Sequence, residues 1–242
     1  MILTIDIGNT KIKFGVFKKL EPIKIFHCDS TFKISSEINK IIQYSIDTVI
    51  ISSVAPKITS LYKEYINKTL NISPFIIDYK NCKISLNVDN PSSVGADRIC
   101  NIAGALQLYK YPAIIIDFGT ATTFDVINNK KEFIGGVIAP GVETSAKYLM
   151  QKAELLNVED LYFPKNAIGK NTKTNLQSGI MFGALDQVSG MITRINHETK
   201  CKNEIILTGG FSNILSEYLT TNHTLDINLT LKGMIYIYES NS

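Results

Sequence analysis

The sequence predicts an α/β protein built from two copies of one half-molecule. Short apolar strands alternate with stretches of helical periodicity along the whole chain. An Ile-rich strand ending in Asp-x-Gly occurs twice, at Asp6 and again at Asp117. The chain has 242 residues, 45% hydrophobic and 19% charged, which is enough to bury two small cores and too apolar for disorder.

The elements follow in order. Met1 to Phe17 (MILTIDIGNTKIKFGVF) reads as strand, turn at Gly8-Asn9-Thr10, strand. Ile34, Ile38, Ile41 and Ile42 repeat at helical spacing over Ile34 to Tyr44; Thr48 to Ile51 is a buried strand, and Lys57 to Lys68 a helix. Pro74 to Asp78 reads as a strand, and Ser92 to Tyr109 as a loop entering a helix with Ile99, Ile102, Ala103 and Leu106 on one face. At Ala113 the pattern restarts: AIIIDFGTATTFDVI repeats strand, acid, glycine and hairpin in the order of the N-terminus. This restart sets the boundary near Tyr111-Pro112 and the halves at residues 1–112 and 113–242. The second half continues with a strand at Phe133 to Gly141 and helices at Val142 to Leu156 and Thr174 to Asn196, the latter behind Asn171-Thr172 as caps. A strand at Glu204 to Gly210, a helix at Ser212 to Leu219 and a last element at Gly233 to Glu239 complete it.

Composition excludes several classes. A net charge of +3, evenly spread, makes no nucleic-acid-binding face. No apolar run reaches the roughly 18 to 20 residues of a membrane helix, and Asp6 interrupts the N-terminal run before a signal-peptide core forms. A cytoplasmic protein is expected. Cys28, Cys82, Cys100 and Cys201 form no CxxC pair, which speaks against a zinc ribbon or dithiol centre and for reduced thiols. His27, His197 and His223 lie outside every motif.

Three segments carry candidate chemistry. Asp6-Ile7-Gly8-Asn9-Thr10 alone also reads as an ordinary hairpin turn. Its second copy at Asp117-Phe118-Gly119-Thr120 favours a pair of phosphate loops facing each other across a cleft. Glycine lets backbone N–H groups approach an anion, Asn9, Thr10 and Lys13 add donors, and Asp6 beside phosphate needs Mg²⁺ between, held through water. Neither GxxxxGK[ST] nor GxGxxG is present. Val94-Gly95-Ala96-Asp97-Arg98 is either a helix cap with a solvated arginine or a catalytic pair, Asp97 as general base and Arg98 as anion holder. Gly135 to Gly141 (GGVIAPG) forms either plain strand turns or a side-chain-free wall for a slim substrate. Paired Asp-x-Gly turns with a later Thr208-Gly209-Gly210 turn resemble the acetate and sugar kinase, heat-shock chaperone and actin superfamily.

Within that superfamily, DIGNT, GADR, DFGTATT, GGVIAPG and TKTNLQSG (Thr172 to Gly179), in this order, resemble type III pantothenate kinases from Met1 to about Gly210. The resemblance implies two duplicated ribonuclease-H-like α/β domains around an interdomain cleft, the actin-like ATPase fold. It also implies a homodimer joined through the second half. The implied reaction is ATP-dependent phosphorylation of pantothenate to 4′-phosphopantothenate, the first step toward coenzyme A, with Mg²⁺ and a monovalent cation, K⁺ or NH₄⁺. Carried over by position, the ATP site comprises Asp6, Ile7, Gly8, Asn9, Thr10, Lys11, Ile12, Lys13 and Thr120. Asp97 is the implied base; Val88, Gly95, Ala96, Asp97, Arg98 and Thr172 contact pantothenate; Asp117 takes the monovalent cation and Asp6 the Mg²⁺. Val88 stands where the family commonly has a tyrosine, three residues before Pro91. The rivals are a kinase of another hydroxylated substrate, against which GADR and GGVIAPG stand, and a non-catalytic regulator of the same family, against which the retained Asp6, Asp97 and Asp117 stand. An actin-like polymer or chaperone would need more chain than is present.

Overall fold

A computed structural model describes residues 1–31, 34–152 and 160–242. The chain folds into two compact units, one of residues 1–109, 131–133 and 228–242, the other of residues 110–130 and 134–227.

In the first unit, β1 (Ile2–Ile7), β2 (Lys11–Lys18), β3 (Glu21–Asp29), β4 (Thr48–Ser53) and β5 (Phe75–Ile76) form a sheet of order β3-β2-β1-β4-β5. β1 is antiparallel to β2 and parallel to β4. Because successive side chains leave opposite faces, each face feeds its own core. Leu3, Ile5, Ile7, Val49 and Ile51 pack with Ile38 of α1 (Ile34–Asn39) and with Tyr62 and Ile66 of α2 (Pro56–Leu70). Phe17 and Ile50 pack on the other side with Ile99, Cys100 and Ala103 of α3 (Ala96–Leu108) and with Leu231, Met234 and Ile235 of α7 (Leu229–Glu239). α3 and α7 approach closely at Gly104 and Gly233, and Thr230 Oγ1 donates to Asn101 Oδ1 across 2.7 Å, both side chains buried.

In the second unit, β7 (Ala113–Phe118), β8 (Ala121–Ile127), β9 (Glu132–Pro140), β10 (Glu204–Gly209) and β11 (Thr224–Leu225) run in the order β11-β10-β7-β8-β9. Read from β9, this is the order of the first sheet, position for position. β7 is antiparallel to β8 and parallel to β10, as β1 is to β2 and β4. The duplicated ribonuclease-H-like α/β fold is therefore present in both copies. α5 (Thr172–Thr199) and α6 (Ser212–Ser216) cover the sheet, with Met181, Val188, Ile192 and Leu215 against Ile114, Ile116 and Leu207; α4 (Val142–Lys152) packs on α5. The beginning of β9, Glu132 and Phe133, belongs to the first unit, where it pairs with β6 (Ser85–Leu86).

Several boundaries differ from the sequence reading. α1 stops at Asn39, not Tyr44, and α5 starts two residues early, at Thr172. Its start is fixed by a reciprocal cap: Asn171 Oδ1 accepts from the Thr174 N–H at 2.9 Å, and Thr174 Oγ1 accepts from the Asn171 N–H. The last part of the helix expected to reach Leu156 lies outside the described residues. β3, β6 and β11 are additional strands. The closing helix α7 sits in the first unit, although its position in the chain would assign it to residues 113–242. Among the described residues no helix is long and apolar enough to cross a membrane.

Candidate active site

Asp6 is the fifth of six residues of β1, half-buried, with Lys13 directly opposite on β2 and Ser52 directly opposite on β4. Ser52 is fully buried, and its Oγ donates to Asp6 Oδ1 at 2.9 Å. Asn9, Thr10 and Lys11 are exposed at the turn and Lys13 is half-buried. Ile7 and Ile12, 0% and 1% exposed, are core residues, so only their backbones can meet a ligand. The Gly8 N–H, expected to point at an anion, instead closes the hairpin onto Lys11 O at 3.0 Å. The turn is braced by Ser30, whose N–H donates to Thr10 O and whose Oγ donates to Asn9 O.

Asp97 lies in the first turn of α3, entered through Asn90, whose side chain caps the single 3-10 turn Pro91–Ser93. Its Oδ1 accepts the Arg98 N–H at 2.8 Å, which fixes the carboxyl rotamer at a helix N-terminus, where negative charge is favoured. The Arg98 guanidinium lies over the Phe133 ring, 5.4 Å from its centroid. Cys100, three residues on, is fully buried. Burial pushes the Cys100 thiol well above its ordinary pKa, and Asp6 and Asp97 push further in the same direction. Asp6 and Asp97 are thus both electrostatic neighbours of one buried sulfur in the first unit. Ala96 is buried, Gly95 half-buried ahead of the helix, and Val88 half-buried on the segment after β6.

In the second unit Asp117 repeats the position of Asp6, opposite Thr123 on β8 and Thr208 on β10. The Gly119 N–H closes this hairpin onto Ala121 O, as at Gly8. Thr120 is exposed; its carbonyl accepts the Gly141 N–H at 3.1 Å and Thr144 Oγ1 at 2.7 Å, which docks the start of α4 on the turn. A Cβ on Gly141 would strike the carbonyls of Gly119 and Thr120, so the last glycine of GGVIAPG permits a close backbone approach. Thr172 is exposed in the first turn of α5.

Both implied cations have candidate holders. Among the described residues no three His, Cys, Asp or Glu side chains gather to hold a metal ion. That suits Mg²⁺ held by one carboxylate, water and substrate phosphates, with Asp6 fixed by Ser52 as the carboxylate. Opposite Asp117, the buried Thr123 Oγ1 has no hydrogen-bond partner, an oxygen of the kind a monovalent cation accepts.

The sequence reading named Asp6, Asp97 and Asp117, and the motifs that hold Thr123 and Thr208, but gave no part to Ser52, which lies directly opposite Asp6. Ser52 ends an Ile-rich strand just as Asp6 does, and a polar residue at the end of a buried strand was the available signal.

Comparison with known proteins follows the same lines. A protein named type III pantothenate kinase from Sulfurihydrogenibium sp. (strain YO3AOP1) is 38% identical over 250 residues, covering 98% of this chain and 99% of the relative. Another of that name from Halalkalibacterium halodurans is 37% identical with complete coverage of both. A Campylobacter jejuni structure described as a Baf family transcriptional activator shares the fold at 20% identity, with a TM-score of 0.64, covering 99% of this chain and 98% of that one. With its family model matching residues 2–194, the chain belongs to the type III pantothenate kinase family.

Proposed function

We propose that this protein transfers the γ-phosphoryl group of ATP to the primary hydroxyl of pantothenate, giving 4′-phosphopantothenate and ADP in the cytoplasm. The observation that carries the reading is the presence, in one unit, of Asp6 fixed beside the phosphate turn by Ser52 and Asp97 fixed at the start of α3. Phosphoryl transfer asks for positioning and charge stabilisation more than covalent work, so this is a sufficient set.

The turn from Asp6 to Lys13 lines the ATP phosphates through the side chains of Asn9, Thr10, Lys11 and Lys13 and the backbone at Ile7 and Ile12. Mg²⁺ at Asp6, when bound, neutralises charge on the β- and γ-phosphates. As the substrate oxygen bonds to the γ-phosphorus, the bond from that phosphorus to the bridging oxygen breaks and ADP leaves with its electrons. The hydroxyl proton passes to Asp97. Oδ1 of Asp97 already accepts the Arg98 N–H, so Oδ2 takes the proton. Arg98, stacked over Phe133, holds the pantothenate carboxylate. Gly95, Ala96 and Val88 line the acceptor, and Val88 makes an apolar contact where a tyrosine is usual. Asp117 holds the monovalent cation.

We further read the active form as a homodimer joined through the second unit. A groove of about 460 Å³ there, lined by Leu149, Leu176, Ile180, Gly179 and Gly183 among others, and the 65%-exposed Ile138 offer an apolar face for a second copy. A dimer mass by light scattering at micromolar concentration is expected, and a monomer mass removes this part.

The experiment for the reaction is ADP release from MgATP with and without pantothenate. Pantothenate-dependent turnover is expected; a folded protein that releases ADP only with another hydroxylated acceptor, or with none, overturns the assignment.

A further inference from the structure

We infer that Ser52 is a positioning residue of the phosphate site, its buried hydroxyl holding the Asp6 carboxylate in one orientation. This rests on the reading of Asp6 given above.

Ser52 is 0% exposed and directly across from Asp6 in the parallel pair of β1 and β4. A serine hydroxyl has one proton. Ser52 gives it to Asp6 Oδ1 at 2.9 Å, which joins β4 to β1 side chain to side chain beside the backbone ladder that pairs the two strands.

Orientation matters because Mg²⁺ demands near-octahedral geometry and is reluctant to shed water. A carboxylate that reaches it through water must present its oxygen at a fixed angle. Without Ser52, Asp6 Oδ1 loses the buried donor that orients it, and the groups that orient metal-holding residues are commonly worth 10- to 100-fold in affinity.

The test is calorimetric titration with MgADP, and with ADP in excess chelator, in the absence of any acceptor. Ser52→Ala is expected to weaken MgADP binding by roughly tenfold while leaving metal-free ADP binding unchanged. Ser52→Thr, which keeps the hydroxyl, is expected to restore most of the loss. Thr4→Val serves as the control, because it removes a buried hydroxyl from β1 that donates to Gly15 O and not to Asp6. It is expected to lower the melting temperature without moving the metal-dependent part of binding. If Ser52→Ala does not fold, Ser52→Cys replaces the donor by a weak one and should cost about threefold on the same axis. A folded Ser52→Ala that binds MgADP as the wild type does overturns the inference, and a wild-type protein that binds no MgADP overturns it together with the phosphate-site reading. A wild type that binds MgADP but does not phosphorylate pantothenate sinks the acceptor alone, and the Ser52 comparison still decides the inference.

Discussion

In the first hairpin Asp6 stands between Lys13 and Ser52; in the second, Asp117 stands between Thr123 and Thr208, on strands paired in the same order and sense. The backbones repeat, down to the glycine N–H that closes each turn, while the groups around the carboxylates diverge. The first carboxylate has a lysine opposite and a hydroxyl donating to it, a setting that tolerates phosphate and a hydrated divalent ion. The second has neutral hydroxyls on both flanks, one of them, Thr123 Oγ1, buried without a hydrogen-bond partner. The next position differs too. Ser53, at the end of β4, accepts hydrogen bonds from the Ala55 N–H and Thr59 Oγ1, whereas its counterpart Gly209 has φ +91° and lies so close to Asp117 that a Cβ would overlap the carboxylate. The two scaffolds are equal in strand order and pairing, and it is the side chains around the two carboxylates that differ.

The largest effect should come from Asp97→Asn, which removes the proton acceptor that only the first unit carries. Turnover is expected to fall by roughly two to four orders of magnitude with nucleotide binding retained; near-normal turnover would take Asp97 out of its role. Next is Thr123→Val, which removes the orphaned hydroxyl beside Asp117. The K⁺ concentration for half-maximal activity should rise by about tenfold, the loss of one good ligand interaction. The melting temperature should stay the same or rise, because an unsatisfied buried group has gone. An unchanged K⁺ response would break the contrast between the hairpins. The smallest concerns stability alone: Gly209→Ala should cost about 2 to 4 kcal/mol from positive φ and overlap with Asp117. Gly8→Ala, which meets only Lys11 O at 2.9 Å, should cost about 1 kcal/mol. Equal losses in chemical denaturation would mean that the two carboxylates are not packed differently.

Much of this was legible in the sequence because it is local. Both hairpins announce themselves as apolar strand, acid, glycine and strand, and the register of each follows from a short turn. What depends on distant pairing was not. Ser52 acquires its partner only when β4 aligns beside β1 with Ile5 opposite Ile51 and Asp6 opposite Ser52. β3 escaped because its residues are mostly half-buried or exposed and lack clean alternation, and β6 and β11 because two residues carry no period. The placement of α7 on α3 depends on Gly104 meeting Gly233, a fit that no local pattern encodes. In the candidate site the acids stand out in their motifs, while the Ser52 hydroxyl, which distinguishes the surroundings of Asp6, emerges only from strand pairing.

The most direct test of this division of labour is turnover measured over a grid of Mg²⁺ and K⁺ concentrations for Asp6→Asn and Asp117→Asn. The account predicts that Asp117→Asn loses its response to K⁺ while its Mg²⁺ half-saturation stays near the wild-type value, and that Asp6→Asn shifts the Mg²⁺ response and keeps the K⁺ activation of its residual rate. Variants that move both responses together, or Asp117→Asn with an unchanged K⁺ response, would contradict it.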